Sequence, residues 1–165
     1  MTRWFAWLSS GCFPRSLTRR EFFVQPVLLY GAFMASRYLT PHFTQDELKC
    51  KGTGLCNMDE VFMELLEQIR LEYGRPIWVN SGYRDPSYND KISSTGRTGP
   101  HTHGKAADLR LYGDDATIVA KIAKELGMTG FGWQQKGEYK SRFLHVDNLT
   151  SVESKPGKRP WVWTY

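Results

Sequence analysis

The residues best suited to chemistry sit in two short stretches. In GPHTHGKAADLR, Gly99 to Arg110, His101, His103 and Asp108 fall within eight residues, and RFLHVD, Arg142 to Asp147, adds His145 and Asp147. A divalent zinc ion is held by a few neutral imidazoles and carboxylates in a rigid frame, and a catalytic zinc keeps one position open for water. His101 in a loop and Asp108 in the strand after it offer two such ligands. Gly104 allows the tight backbone between them, and Ala106 and Ala107 leave room for neighbouring chain. A third ligand must come from elsewhere, and His145 is the candidate. Each residue taken singly also has an ordinary reading, a solvated loop histidine or a hydrogen-bonded strand aspartate. Upstream, SGYR (Ser81 to Arg84) ends in a guanidinium whose planar fork of donors suits a substrate carboxylate or a developing oxyanion. The alternative for Arg84 is a structural salt bridge with Asp85 or Asp90. Ser81 and Tyr83 would position Arg84 or the substrate, with His103 a further substrate contact.

The elements that must position these groups can be read from periodicity. NMDEVFMELLEQIRLEYG predicts a helix opened by an Asn57–Glu60 capping box and stopped by Gly74, with Phe62, Leu65, Leu66, Ile69 and Tyr73 on one face. Ile77 to Asn80 predicts a short strand that delivers Ser81 to Arg84. Asp85 to Pro100 is rich in Gly, Ser, Thr and Asn and reads as a helical turn and then a loop, of a length that usually serves a site. KAADLRLY alternates as a half-buried strand. DDATIVAKIAKELG predicts a helix with Asp114 as N-cap, Gly127 as stop and a stripe of Ile118, Val119, Ile122, Ala123 and Leu126. TGFGW, RFLHVD and PWVWTY predict three more strands. In RFLHVD, Leu144 and Val146 would face the core and His145 and Asp147 the opposite side. The sum is an α+β domain with a small, mostly antiparallel sheet and flanking helices.

The combination of motifs resembles a known family. The pattern H-x-x-G-x-A-x-D, here His101, Gly104, Ala106 and Asp108, is similar to that of the zinc D-alanyl-D-alanine carboxypeptidases, which include VanX-type dipeptidases and the L-alanyl-D-glutamate endopeptidases of phage endolysins. SGYR upstream, FLHVD downstream and the tyrosine after RPWVW match in order and spacing. The likeness covers roughly residues 38–165 and is greatest to the carboxypeptidase C-terminal-like domains of phages and bacteria. It implies a hedgehog/carboxypeptidase type of α+β fold and one zinc ion held by His101, Asp108 and His145. It also implies a hydrolase acting on peptide bonds of the cell wall. Such a reaction needs water activated at neutral pH and a carboxylate to carry its proton to the leaving amine.

One departure from the family matters. Many members carry a catalytic acid three residues before the second zinc histidine, and Arg142 stands there. Asp147 is then the first choice for the base, since two residues along a strand it emerges beside His145. His103 and Glu138 are the fallbacks. Asp147 reads equally as a partner that orients a zinc histidine.

The remaining features set bounds. At 165 residues and 41% hydrophobic, the chain is long and apolar enough for one core. Of its net charge of +5, residues 1–33 supply Arg3, Arg15, Arg19 and Arg20 against Glu21, leaving 18 − 16 = +2 beyond them. That small excess argues against nucleic-acid binding. Residues 1–33 are expected to lie outside the domain at 34–165. They read either as an export leader, with TRREFFV resembling a twin-arginine signal, or as an upstream extension before Met34. The protein is then expected to be periplasmic or extracellular in the first case, and phage-encoded and cytoplasmic until lysis in the second. No apolar run is long enough for a membrane span. Cys50 and Cys56 flank a turn and are open to a disulfide or to two free thiols. His42 reads as a surface residue. Lys155, Lys158 and Arg159 beside Trp161, Trp163 and Tyr165 could suggest sugar or nucleic-acid stacking, but the alternation favours a core strand after a basic turn. The expected partner is a peptidoglycan peptide, bound by a monomer. The competing expectation is a non-catalytic, zinc-stabilised cell-wall-binding module on the same fold.

Overall fold

In the computed structural model, which describes residues 39–154 and 159–165, a short helix comes first. This is α1 (Gln45–Leu48), closed at its start by a reciprocal cap between Thr44 and Glu47. Residues 1–33, read above as an export leader or an upstream extension, lie outside the described residues, as do Lys155 and Lys158. The turn between Cys50 and Cys56 follows, and both thiols are free.

The main helix, α2 (Glu60–Tyr73), begins later than a cap at Asn57 would have it. Its N-cap is Asp59, whose carboxylate accepts from the Phe62 N–H at 2.9 Å. The reason is tertiary. The Asp59 N–H donates to the Gly104 carbonyl at 3.0 Å, and residues 57–59 run against Gly104 so closely that a Cβ there would stand 2.2 Å from the Asn57 carbonyl oxygen. Extended chain is therefore required up to Asp59. Gly74, at φ 71°, ends the helix as expected. Phe62, Met63, Leu66 and Ile69 are buried, with Leu65 and Tyr73 packed at the margin.

After β1 (Val79–Ser81) come α3 (Pro86–Ile92), capped by Asp85, and two 3₁₀ turns, Gly96–Thr98 and Pro100–His103. The fully buried Asn89 ties this segment together by donating to the Thr95 hydroxyl and the Gly96 carbonyl. Strand β2 (Ala106–Leu109) leads to α4 (Asp114–Glu125). Gly113, at φ 58°, occupies the N-cap of α4 in place of Asp114. Asp114 and Asp115 fall instead in the first turn, where their negative charge is attracted by the positive end of the helix dipole. Ile118, expected in the apolar stripe, is 47% exposed, while Ala116, Val119 and Ala123 make the buried face.

Three strands complete the sheet: β3 (Gly130–Gln134), β4 (Phe143–Asp147) and β5 (Trp161–Thr164). The order is β1-β2-β4-β3-β5, antiparallel except for the parallel β3–β5 pair. This is the α+β architecture that the patterning predicts. Helices α2 and α4 pack together, and α4 lies on β4. The apolar face of the sheet, with Ala107, Leu109, Phe131, Leu144 and Val146, joins them in one core. Strand β5 departs from expectation, being an edge strand whose Trp161 and Val162 are 47% and 63% exposed rather than a core strand. Having one neighbour only, it lacks the second flank that would bury it.

Candidate metal centre

The register of the sheet places one row of residues across all five strands on the face away from the helices. Ser81 stands opposite Asp108, Asp108 opposite His145, His145 opposite Gly132, and Gly132 beside Trp163. Paired residues of neighbouring strands share a face. Asp108 and His145 are thus neighbours by strand pairing alone. His101 arrives from the 3₁₀ turn just before β2.

The three side chains converge on one oxygen. Asp108 Oδ1 lies 2.8 Å from His145 Nδ1 and 3.3 Å from His101 Nε2. One donor atom from each of the three residues lies within 4.8 Å of the others, and all three residues are buried. The far side of each ring is anchored. His101 Nδ1 is 2.7 Å from the Gly82 carbonyl oxygen, which can only accept, so this nitrogen carries the proton and Nε2 presents its lone pair to the cluster. A Cβ on Gly82 would meet the Leu48 backbone at 2.7 Å, so glycine is what lets that carbonyl reach the ring. His145 Nε2 is 3.2 Å from Asp147 Oδ2, which likewise places a proton there and frees Nδ1 to bind a cation.

Two lone pairs and a carboxylate oxygen facing one another are mutually repulsive unless a positive charge lies among them. Without a metal, protons take that part. Burial lowers the His145 pKa, but the bonds to Asp108 and Asp147 outweigh it and leave it raised to about 9. For His101 burial wins over the pull of Asp108, and its pKa is lowered. Burial acts to raise Asp108, yet the two histidines hold it well below the usual carboxylate range. The donor set of two imidazoles and one carboxylate fits zinc, and three protein ligands is the number found at catalytic rather than closed structural sites.

Around the cluster, each carboxylate has an arginine. Arg84 donates from Nη2 to Asp108 Oδ2 at 2.5 Å and from Nε to the Ser81 hydroxyl at 2.9 Å. Its salt-bridge partner is therefore Asp108, neither Asp85, which caps α3, nor Asp90. Asp147 is fully buried and receives Arg159 Nη1 at 2.9 Å and the Leu149 N–H at 3.1 Å, besides its contact with His145. Burial pushes Asp147 up, but the combined hydrogen bonds and charges of His145, Arg159 and Leu149 bring it below its ordinary value. A Cβ on Gly130 would stand 2.0 Å from Asp147 Oδ2 and 2.3 Å from Arg159 Nη1, so the pair occupies the space this glycine leaves.

The other candidates lie apart from the cluster. Tyr83 is buried, which raises its phenol pKa, and the Asp85 carboxylate adds to the rise. His103 is exposed. Glu138 pairs with Lys140 at the surface at 2.9 Å. Arg142 donates to the Gly137 carbonyl and lies over the Tyr139 ring at 4.3 Å. His42 is exposed, as expected, but not unpartnered: its Nδ1 meets Glu67 Oε1 at 2.5 Å. Arg159 and Trp163 are the site residues that sequence reasoning missed. Their signal was the pair of small residues Gly130 and Gly132 in alternate positions, since glycine within a strand marks close approach by other groups.

Compared with protein-family models, the chain matches the one described as Peptidase M15 over residues 41–147, a span that includes His101, Asp108, His145 and Asp147. No curated protein matches it.

Proposed function

Because the chain belongs to the peptidase M15 family, we propose that it is a zinc-dependent peptidase hydrolysing peptide bonds in the stem peptides of bacterial peptidoglycan. The bond is either a carboxy-terminal D-Ala-D-Ala link or an internal one of the endolysin type. The observation that carries this reading is the shared oxygen Asp108 Oδ1, with His101 Nε2 and His145 Nδ1 turned to it by anchors on the far side of each ring. His101, Asp108 and His145 would hold the ion. When bound, zinc supplies a Lewis acid that activates water near neutral pH and polarises the scissile carbonyl.

The chain's own residues then have separable tasks. Asp147 Oδ2 holds the proton on His145 Nε2 and fixes the ring, so Asp147 acts as a positioning residue, itself clamped by Arg159. Its carboxylate is fully buried on the far side of the His145 ring from the candidate ligands, so on this reading another group carries the proton to the leaving amine. Ser81 holds Arg84 at Nε, and on this reading the guanidinium beside Asp108 meets a substrate carboxylate or the charge developing on the carbonyl oxygen.

A second reading has one observation in its favour. The position three residues before His145 is Arg142, engaged with Gly137 and Tyr139. A zinc-stabilised module that binds cell wall without cutting it would tolerate that residue. Purified peptidoglycan separates the two: a peptidase releases D-Ala or new amino groups, stops on chelation, and resumes with zinc. One bound zinc with no release under any condition favours the module.

A further inference from the structure

The row of residues across the sheet continues past the candidate ligands into aromatic surface. Trp161, Trp163 and Tyr165 alternate along β5 and the residue that follows it, and Trp163 shares a face with His145 through Gly132, so all three rings stand on the site face. Their rings form a chain. His145 and Trp163 have centroids 5.1 Å apart, Trp161 and Trp163 5.1 Å, and Trp163 and Tyr165 6.3 Å. A Cβ on Gly132 would come within 2.6 Å of the Trp163 indole, so that ring lies directly on the backbone of β3. The outer rings are open, with Trp161 47% and Tyr165 52% exposed.

Among the described residues the apolar core lies on the other face of the sheet and includes none of these three rings, although Tyr165 also packs on Phe143 at 5.3 Å. Exposed aromatic surface joined to a buried polar cluster is the composition of a ligand site. The electron-rich face of an aromatic ring attracts positively polarised edges. The axial C–H groups of a pyranose present such an edge in a flat array. Stem peptides, built of small and charged residues, offer little to stack. We propose that Trp161, Trp163 and Tyr165 form a subsite for a β-1,4-linked N-acetylhexosamine chain, the glycan to which stem peptides are attached. This rests on the peptidoglycan reading above, and makes the favoured substrate a peptide still carried on its glycan.

The test uses the full, zinc-loaded chain and a peptide-free tetramer of β-1,4-linked N-acetylglucosamine, titrated by calorimetry. Saturable binding is expected, weakened about tenfold or more by Trp161→Ala, as loss of one stacking ring implies. Trp78→Ala removes an exposed indole next to β1, at the opposite edge of the sheet, and is expected to leave binding unchanged. Zinc content reports whether each variant retains its fold. Absence of saturable binding by the unaltered chain overturns the proposal, as does equal weakening by both variants. Self-association of the unaltered chain that Trp161→Ala abolishes overturns it too, in favour of a second copy on this strand. Because the tetramer holds no peptide bond, a chain that binds it and cuts nothing keeps the subsite and loses the peptidase reading. A chain that cuts free stem peptide and ignores the tetramer does the reverse.

Discussion

His145 stands between two carboxylates, Asp108 and Asp147, and its proton is therefore the competitor of the cation. With a pKa raised from the ordinary 6.5 to about 9, the metal-free ring is charged at neutral pH. Its stabilising contribution to the metal-free fold is present below about 6.5 and is lost as pH rises through about 9. Thermal melts of the chelated protein are expected to show that decline, and melts of the zinc-loaded protein much less of it. Zinc must displace the proton, so apparent affinity is expected to fall about tenfold per pH unit below 9, with one proton released per ion. A competition titration against a chromophoric chelator measures both. Removing a ligand is more severe: His101→Ala or Asp108→Ala is expected to leave the chain without stoichiometric zinc by elemental analysis. Asp147→Asn keeps the shape but weakens the acceptor on Nε2, and should lower zinc affinity by about 10- to 100-fold. Unchanged affinity in that variant would remove Asp147 from its positioning role.

Among the elements, the turn into β2 matters most to the site. Gly104 has φ 70°, and a Cβ there would stand 2.2 Å from the Asn57 carbonyl oxygen and 2.9 Å from the Asp59 N. These are backbone atoms at the start of α2, so the clash cannot be relieved by a side-chain rotation. Gly104→Ala is expected to cost about 1–3 kcal/mol by denaturant unfolding, and to loosen zinc because His101 and Asp108 flank the turn. Gly130→Ala meets side-chain ends instead, Asp147 Oδ2 and Arg159 Nη1. Its expected effect is smaller on stability and is felt mainly as weaker zinc binding, since the clamp on His145 must shift.

At the scale of the molecule, core and site occupy opposite faces of one sheet, and the two can be disturbed separately. Leu66 on α2 is fully buried in the apolar core. Leu66→Ala is expected to lower unfolding free energy by about 2–5 kcal/mol while zinc stoichiometry stays at one, as calorimetric melts with and without chelator would show. Equal loss of zinc and stability would mean that the two faces are coupled.

What the sequence determines here is local. Alternation in FLHVD assigns His145 and Asp147 to the face opposite Leu144 and Val146, and the spacing in HTHGKAAD sets a loop histidine before a strand aspartate. Period-two and period-3.6 patterns need only neighbouring residues, so helices, strands and candidate ligands are legible. The tertiary structure alone decides what strand order and register bring together. The non-sequential order β1-β2-β4-β3-β5 sets Ser81, Asp108, His145, Gly132 and Trp163 in one row. It also sends Arg84 to Asp108 rather than to Asp85, brings Arg159 onto Asp147, and leaves β5 at an open edge. Helix starts moved for the same reason, as Asp59 shows where Gly104 takes its N–H. These pairings arise from burial and hydrogen bonding between segments distant in the chain, and no short window of residues contains them.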